Sequence, residues 1–377
     1  MVHPTMMLCV VSSCSRFPEK PFDFILTLSY TKHRIHKKGI TAMKYIVLGY
    51  TYDAAMLDVT EADVKKLTHM NLAFGLIKDG LLDLSRMSNW DYIQNYRVWN
   101  PDLKVVLSVG GWGAGGFSKM AMTEEGRRAF AQSCLEVVEK YNLDGIDIDW
   151  EYPCSDMAEI DCDPKDKENY TLLLQTLRDV LGENRIVSIA VGAGEYFVEG
   201  TEMDKVAQIV DYVQLMTYDM RNGFTKQAGH HASLGLSKGD TTNTSTRGIA
   251  KMFREAGVPY EKMVVGAAFY GRRFDGVPNV DNGLLQPSET AALGGGSYGM
   301  LTEDFLKSGG FTRYWDEDAE AHYLWNGSSF ITYESPEAIR RKCLYVKEMG
   351  MLGVMYWEHS CDPTRDLLNT MHETLNA

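Results

Sequence analysis

At 377 residues, 45% of them hydrophobic, the chain is long enough to bury a large core, in one big α/β domain or two medium ones. Its net charge of −13 argues against a nucleic-acid partner or an anionic membrane surface. No apolar run approaches the roughly 20 residues that span a bilayer, so a soluble protein with no membrane partner is expected.

The first 42 residues show no sustained periodicity and are basic: Arg16, Lys20, Lys32, Arg34, Lys37 and Lys38 against Glu19 and Asp23. The remainder therefore carries −17. As a signal peptide the segment is poor, because no basic residue precedes the short apolar run 6–11. Met43 opens Met-Lys-Tyr-Ile-Val-Leu-Gly-Tyr, a natural start for a domain beginning on a strand, so 1–42 is expected to be an extension outside the fold. Seven cysteines do not make a disulfide framework. Cys134 and Cys343 sit in apolar helical patterns and read as core. Cys154 and Cys162 flank an acidic loop, and pairing and free thiols are both open.

From Lys44 onward, short apolar runs at 45–50, 70–74, 104–109, 143–151, 186–191, 212–218, 263–270 and 352–357 alternate with helical patterns such as 123–141 and 166–181. Eight β-then-α units predict an α/β fold, a closed (β/α)8 TIM barrel, over a doubly wound open sheet. Residues 273–335 are too long for a loop plus helix, and they predict a small α+β insertion between strands seven and eight, leaving 43–272 and 336–377 as the barrel. Several strands end in aromatic or polar residues, at the end where barrel enzymes place their sites.

The densest chemistry is Asp144-Gly-Ile-Asp-Ile-Asp-Trp-Glu151. Ile146, Ile148 and Trp150 alternate with Asp147, Asp149 and Glu151, so strand geometry stacks three carboxylates on one face, about 6.5–7 Å apart. Buried together, they raise one another's pKa and share protons. A fold accepts that where it needs a protonated acid near neutral pH, whereas a metal-binding or solvated acidic strand is the plainer alternative. Glu151, nearest the strand end, is the best general acid, and Asp149 is placed to share a proton with Glu151 or Asp147. Paired carboxylates suggest glycoside hydrolysis, but one strand cannot set an acid and a nucleophile on opposite sides of a sugar. A substrate that supplies its own nucleophile resolves that conflict.

Met216-Thr217-Tyr218-Asp219 closes another strand, with Met216 and Tyr218 on one face and Asp219 turned away unless the strand ends near Tyr218. Ser108-Val109-Gly110-Gly111-Trp112 reads as a tight turn or as a close backbone approach to ligand beside an aromatic, and no P-loop Lys follows it. His230 and His231 lack partners at metal-like spacing, so neither metal nor cofactor is expected.

These residues resemble glycoside hydrolase family 18, the chitinase family. Residues 144–151 match its DxxDxDxE signature, and Tyr152-Pro153 continues it. Ser108-Val-Gly-Gly111 matches its SxGG motif, and Met216-Thr-Tyr-Asp219 its strand-six motif. Tyr270-Gly271-Arg272 resembles its strand-seven YGR, and Trp357 its strand-eight tryptophan. The motifs run in family order across 43–377, and the insertion resembles that of the deep-cleft subgroup.

The resemblance implies a retaining, substrate-assisted hydrolase of chitin or chitooligosaccharides. In it Glu151 protonates the glycosidic oxygen, Asp149 holds the acetamido group, Asp147 exchanges a proton with Asp149, and Tyr218 bonds the acetamido oxygen. Trp357 would floor the sugar undergoing cleavage. Tyr50, Phe74, Gly111, Trp112, Met216, Asp219, Tyr270, Arg272 and Met355 would complete the binding site. A monomer is expected. Endo-β-N-acetylglucosaminidases acting on N-glycan or peptidoglycan fragments share the motif, and lectins on the same barrel typically lose the acid that Glu151 supplies here. Gly113 stands where the family often has Asn. With no carbohydrate-binding module or clear export signal in the sequence, soluble chitooligosaccharides are expected over crystalline chitin. Location is left between secreted, the family habit, and cytoplasmic.

Overall fold

A computed structural model of the chain describes residues 45–377. The expectation for residues 1–42 lies outside the described residues. The described residues, 45–377, belong to one compact unit.

Fourteen strands run in chain order: β1 Ile46–Tyr52, β2 His69–Lys78, β3 Leu81–Asp83, β4 Lys104–Gly110, β5 Gly145–Asp149, β6 Ile186–Gly192, β7 Tyr212–Met216, β8 Met263–Ala268, β9 Tyr270–Phe274, β10 Leu293–Ser297, β11 Thr312–Asp316, β12 Ala321–Trp325, β13 Phe330–Tyr333 and β14 Gly353–Trp357. Eight of them pair in parallel in the order β1-β2-β4-β5-β6-β7-β8-β14, and β14 pairs back onto β1 to close the barrel. The short β3 only lengthens β2 as a hairpin.

The strand runs read as near-continuous apolar sequence because both faces of a parallel barrel are covered. Val105, Val106, Leu107 and Val109 of β4 are all fully buried. Helices begin where caps supply oxygen to free N–H groups. Thr123 accepts from Gly126 N–H ahead of the helix Glu124–Lys140, and Ser335 accepts from Ala338 N–H ahead of Pro336–Met349. The helix Asp166–Leu181 has the bounds its periodicity indicated. Among the described residues no helix is long and apolar enough to cross a membrane.

The connection after β8 holds an antiparallel five-stranded sheet, β10-β9-β13-β12-β11, with a short helix at Glu303–Ser308. Tyr270 and Arg272 thus lie on β9, in the second sheet, and not on the end of a barrel strand. The apolar run 263–270 continues through Phe269 without a break, so no sequence signal marks where the chain leaves the barrel at Ala268.

Candidate active site

At the C-terminal end of the barrel lies a cleft of about 2280 Å³. Glu151, Asp149, Tyr218, Tyr50, Phe74, Gly111, Trp112, Met216, Asp219, Tyr270, Arg272 and Trp357 all line it. Tyr152, which continues the signature, lines it too, as do Tyr52, Tyr196, Phe224 and Glu358, which the sequence did not single out. Three cis peptide bonds, Ala73–Phe74, Glu151–Tyr152 and Trp357–Glu358, occur at these residues.

The carboxylate column is real but its members differ. On β5 the apolar set turns outward: Trp150 is fully buried and stacks on Phe117 at 5.1 Å, with Tyr170 edge-on at 5.8 Å. Asp147 points into the barrel, where parallel register sets Ser108 of β4 and Ser188 of β6 on either side of it. Its Oδ2 accepts from the Tyr50 hydroxyl and Ser108 Oγ, both at 2.8 Å. Its Oδ1 accepts from Ser188 Oγ at 2.7 Å and Gln214 Nε2 at 2.6 Å. Asn71 Nδ2 in turn donates to Gln214 Oε1 at 3.3 Å. Six strands therefore contribute to one buried polar belt. Burial raises the Asp147 carboxyl, and the four donors oppose that rise.

Asp149 has no such cradle. Its Oδ1 is buried without a hydrogen-bond partner among the described residues. Burial, then the charges of Glu151 and Asp147, push it well above the usual carboxylate range. Glu151 lies two residues beyond the end of β5, so it leaves the strand and stands at the cleft wall. Burial pushes its carboxyl up to about 7, with the Tyr152 hydrogen bond opposing and the Asp219 charge adding to the rise.

The strand β7 ends at Met216, earlier than alternation indicated. Two successive hydrogen bonds, Thr217 N–H to Leu215 O and Tyr218 N–H to Met216 O, both 2.7 Å, coil the chain. Asp219 follows at φ +53°. That turn is what brings Asp219 back to the cleft, where strict alternation would have pointed it away. Arg272 grips it through Nε to Oδ1 at 2.7 Å and Nη2 to Oδ2 at 2.6 Å. Burial alone would raise Asp219, but His231 and Arg272 hold it below the usual range. Burial lifts the Tyr218 phenol well above its ordinary value, reinforced by Asp149 and Glu151.

Met355 is not among the residues that line the cleft. It is fully buried, and its Sδ lies 3.9 Å from the Tyr218 hydroxyl. On β14 it shares a face with Trp357 but sits one step deeper, so Trp357 reaches the cleft and Met355 supports Tyr218 from below. Trp357 itself stacks on Phe74 at 5.4 Å and meets Tyr52 edge-on at 5.1 Å, an apolar platform at the rim.

Gly110, the last residue of β4, and Gly111 after it are also packed closely against protein neighbours. A Cβ on Gly110 would sit 2.0 Å from the Asp149 carbonyl oxygen, and one on Gly111 would sit 2.8 Å from the Phe74 ring. Gly111 N–H donates to that same carbonyl at 2.9 Å. Their close approach is to β5 and Phe74.

Among the described residues no group of three or more His, Cys, Asp or Glu is arranged to hold a metal. His230 Nε2 lies 3.2 Å from Asp316 Oδ2, and His231 Nδ1 lies 3.4 Å from Asp219 Oδ1. Cys154 and Cys162 are free thiols.

Several known proteins are similar. Chitinase A1 of Niallia circulans is 36% identical over 313 residues, 76% of this chain and 44% of its own length. Chitotriosidase-1 of Mus musculus is 26% identical over 359 residues, 87% of this chain and 76% of its own. The chain thus spans under half the length of the first and about three quarters of the second. A solved family 18 N-acetylglucosaminidase from Paenibacillus barengoltzii has a TM-score of 0.84 and 44% identity, covering 88% of this chain and 99% of that one. The family described as Glycosyl hydrolases family 18 matches residues 43–362, which hold all eight barrel strands and the insertion, and the chain belongs to that family.

Proposed function

We propose that the chain hydrolyses β-1,4-linked N-acetylglucosamine oligomers with retention, the substrate's own acetamido group acting as nucleophile. The observation that supports this best is Asp149 Oδ1, a buried, unpartnered acceptor beside an acid whose pKa is about 7. The other inward carboxylates are engaged. Asp147 accepts four hydrogen bonds, and Asp219 is clamped by Arg272. This leaves Asp149 to accept the N–H of a bound acetamide, which its own partners do not satisfy.

In this reading protonated Glu151 delivers its proton to the glycosidic oxygen. The acetamido carbonyl attacks the anomeric carbon as the bond to the protonated glycosidic oxygen breaks, and Asp149, having passed its proton to Asp147, stands ionised against the positive oxazolinium. The Tyr218 hydroxyl donates to the acetamido oxygen. Ionised Glu151 then takes a proton from the water that opens the ring, which restores the acid. Trp357, backed by Phe74, floors the sugar under attack.

Glu151→Gln tests the assignment: turnover should fall by about 10²–10⁴, the usual worth of a positioned acid, while oligosaccharide binding persists. Near wild-type hydrolysis of a substrate with a poorly activated leaving group would refute it. A second reading, release of N-acetylglucosamine from short chains or glycan fragments, is favoured by the N-acetylglucosaminidase from Paenibacillus barengoltzii, which this chain matches over nearly its full length. Product lengths from a defined hexasaccharide separate the two. Binding without any cleavage would instead indicate a lectin.

A further inference from the structure

The loop that follows Tyr218 returns to the site at His231. Its ends are tied together: Met220 N–H donates to His231 O at 3.0 Å, and His231 N–H donates to Thr332 Oγ1 at 3.2 Å on β13. The imidazole is fully buried and does not line the cleft. It packs against the Tyr270 ring at 5.3 Å and directs Nδ1 at Asp219 Oδ1, 3.4 Å away. Neither ring nitrogen completes a hydrogen bond among the described residues, and Nδ1 approaches Asp219 only at ion-pair distance. An imidazole buried with one polar neighbour is costly unless that neighbour is used.

The charged and titratable groups around it are Asp219 after β7, Tyr270 and Arg272 on β9, and Lys342 on the helix Pro336–Met349, itself paired with Glu334. Burial, with Arg272 and Lys342, outweighs Asp219 and lowers the ring's pKa, which favours the neutral imidazole. Asp219 in turn is a charge that Glu151 feels, alongside Asp149 and the phenols of Tyr152, Tyr196 and Tyr218.

We propose that His231 is a positioning residue of the hydrolytic reaction: its Nδ1–H holds Asp219 against Arg272 and so sets the negative charge that Glu151 faces. The inference rests on Glu151 being the acid. Its test is the pH profile of kcat/KM on a chitooligosaccharide for wild type, His231→Leu and His231→Asn. Loss of the donor in His231→Leu leaves Asp219 less compensated, so the alkaline limb should move up by about 0.5–1 pH unit, roughly half of the 1–2 units that one hydrogen bond to a charged group is worth at Asp219 itself. The amide N–H of His231→Asn reaches the same distance from the backbone and should restore the wild-type limb. In an Asp219→Asn background, His231→Leu should move nothing further. A purely structural role would lower the melting temperature without moving the limb. A folded His231→Leu with an unshifted limb, or a His231→Asn as displaced as His231→Leu, overturns the proposal. Should His231→Leu not fold, 15N NMR of histidine-labelled wild type decides, with His231 identified by the signal lost in His231→Asn: a proton on Nδ1 supports the proposal, and one on Nε2 overturns it. Activity retained by Glu151→Gln would show instead that the underlying reading of the acid had failed.

Discussion

Gln214→Met probes the polar belt at the member that links Asp147 to Asn71. Methionine keeps the length and apolar body of the side chain but removes both hydrogen bonds. Asp147 Oδ1 loses its 2.6 Å donor, and Asn71 Nδ2 loses its acceptor. A hydrogen bond to a charged group is worth about 1.5–3 kcal/mol, and an orphaned buried amide costs about 1–3 kcal/mol. Added apolar burial returns part of this, leaving a net loss of about 2–4 kcal/mol. At about 2.1 cal/mol/K per residue, a unit the size of residues 43–377 has an unfolding entropy of about 0.7 kcal/mol/K, so the melting temperature should fall by about 3–6 °C. The lost donor also favours protonated Asp147 by about 1–2 pH units. Differential scanning calorimetry reads the first effect, and the acid limb of the rate profile, which should move upward, reads the second. A variant that melts like its parent with an unmoved acid limb would refute the role given to the belt.

Two further outcomes follow from the cleft. Because burial holds the folded Glu151 carboxyl near 7, above the ordinary 4.5, its contribution to stability is full below pH 4.5 and lost as pH rises through 7. Wild type should therefore be less stable relative to Glu151→Gln at pH 8 than at pH 5 in chemical denaturation, and an equal gap at both would contradict this. Gly110→Ala should cost about 3 kcal/mol or more, because its Cβ meets a backbone oxygen at 2.0 Å with φ at +123°. Gly113→Ala, whose nearest neighbour is at 3.9 Å, should cost only the positive-φ strain of about 1–2 kcal/mol. Denaturant midpoints of the two variants give the comparison.

The eight barrel strands were legible because a buried parallel strand reads as an apolar run, and the acidic strand because its alternation is strict. Strand ends were not. Alternation runs on through Trp150-Glu151 and through Tyr218 after the ladder has stopped, since the side-chain pattern does not record where the backbone coils. The supports of Asp147 were missed for a different reason. Ser188, Gln214 and Asn71 lie 41, 67 and 76 residues from it in the chain, and only closure of the barrel brings them together. A signal did exist: Gln214 is a lone amide in Tyr-Val-Gln-Leu-Met, and Asn71 stands between Met70 and Leu72. A polar side chain inside a buried strand needs a partner, which marks such positions before any partner is known. Arg272 was legible as a residue type but not as the clamp of Asp219, because that pairing depends on the turn after Met216.

The belt has a consequence for how the barrel can be divided. Cut between β5 and β6, the chain yields two halves of four barrel strands each. The first keeps Asp147 with Tyr50 and Ser108, and the second takes away Ser188 and Gln214. Neither half is then electrostatically self-sufficient. The buried carboxylate works as a key cut across both halves, so each must evolve, fold and be exchanged together with its partner. The demand that holds the two halves to one another is the same one that fixes the floor of the catalytic cleft.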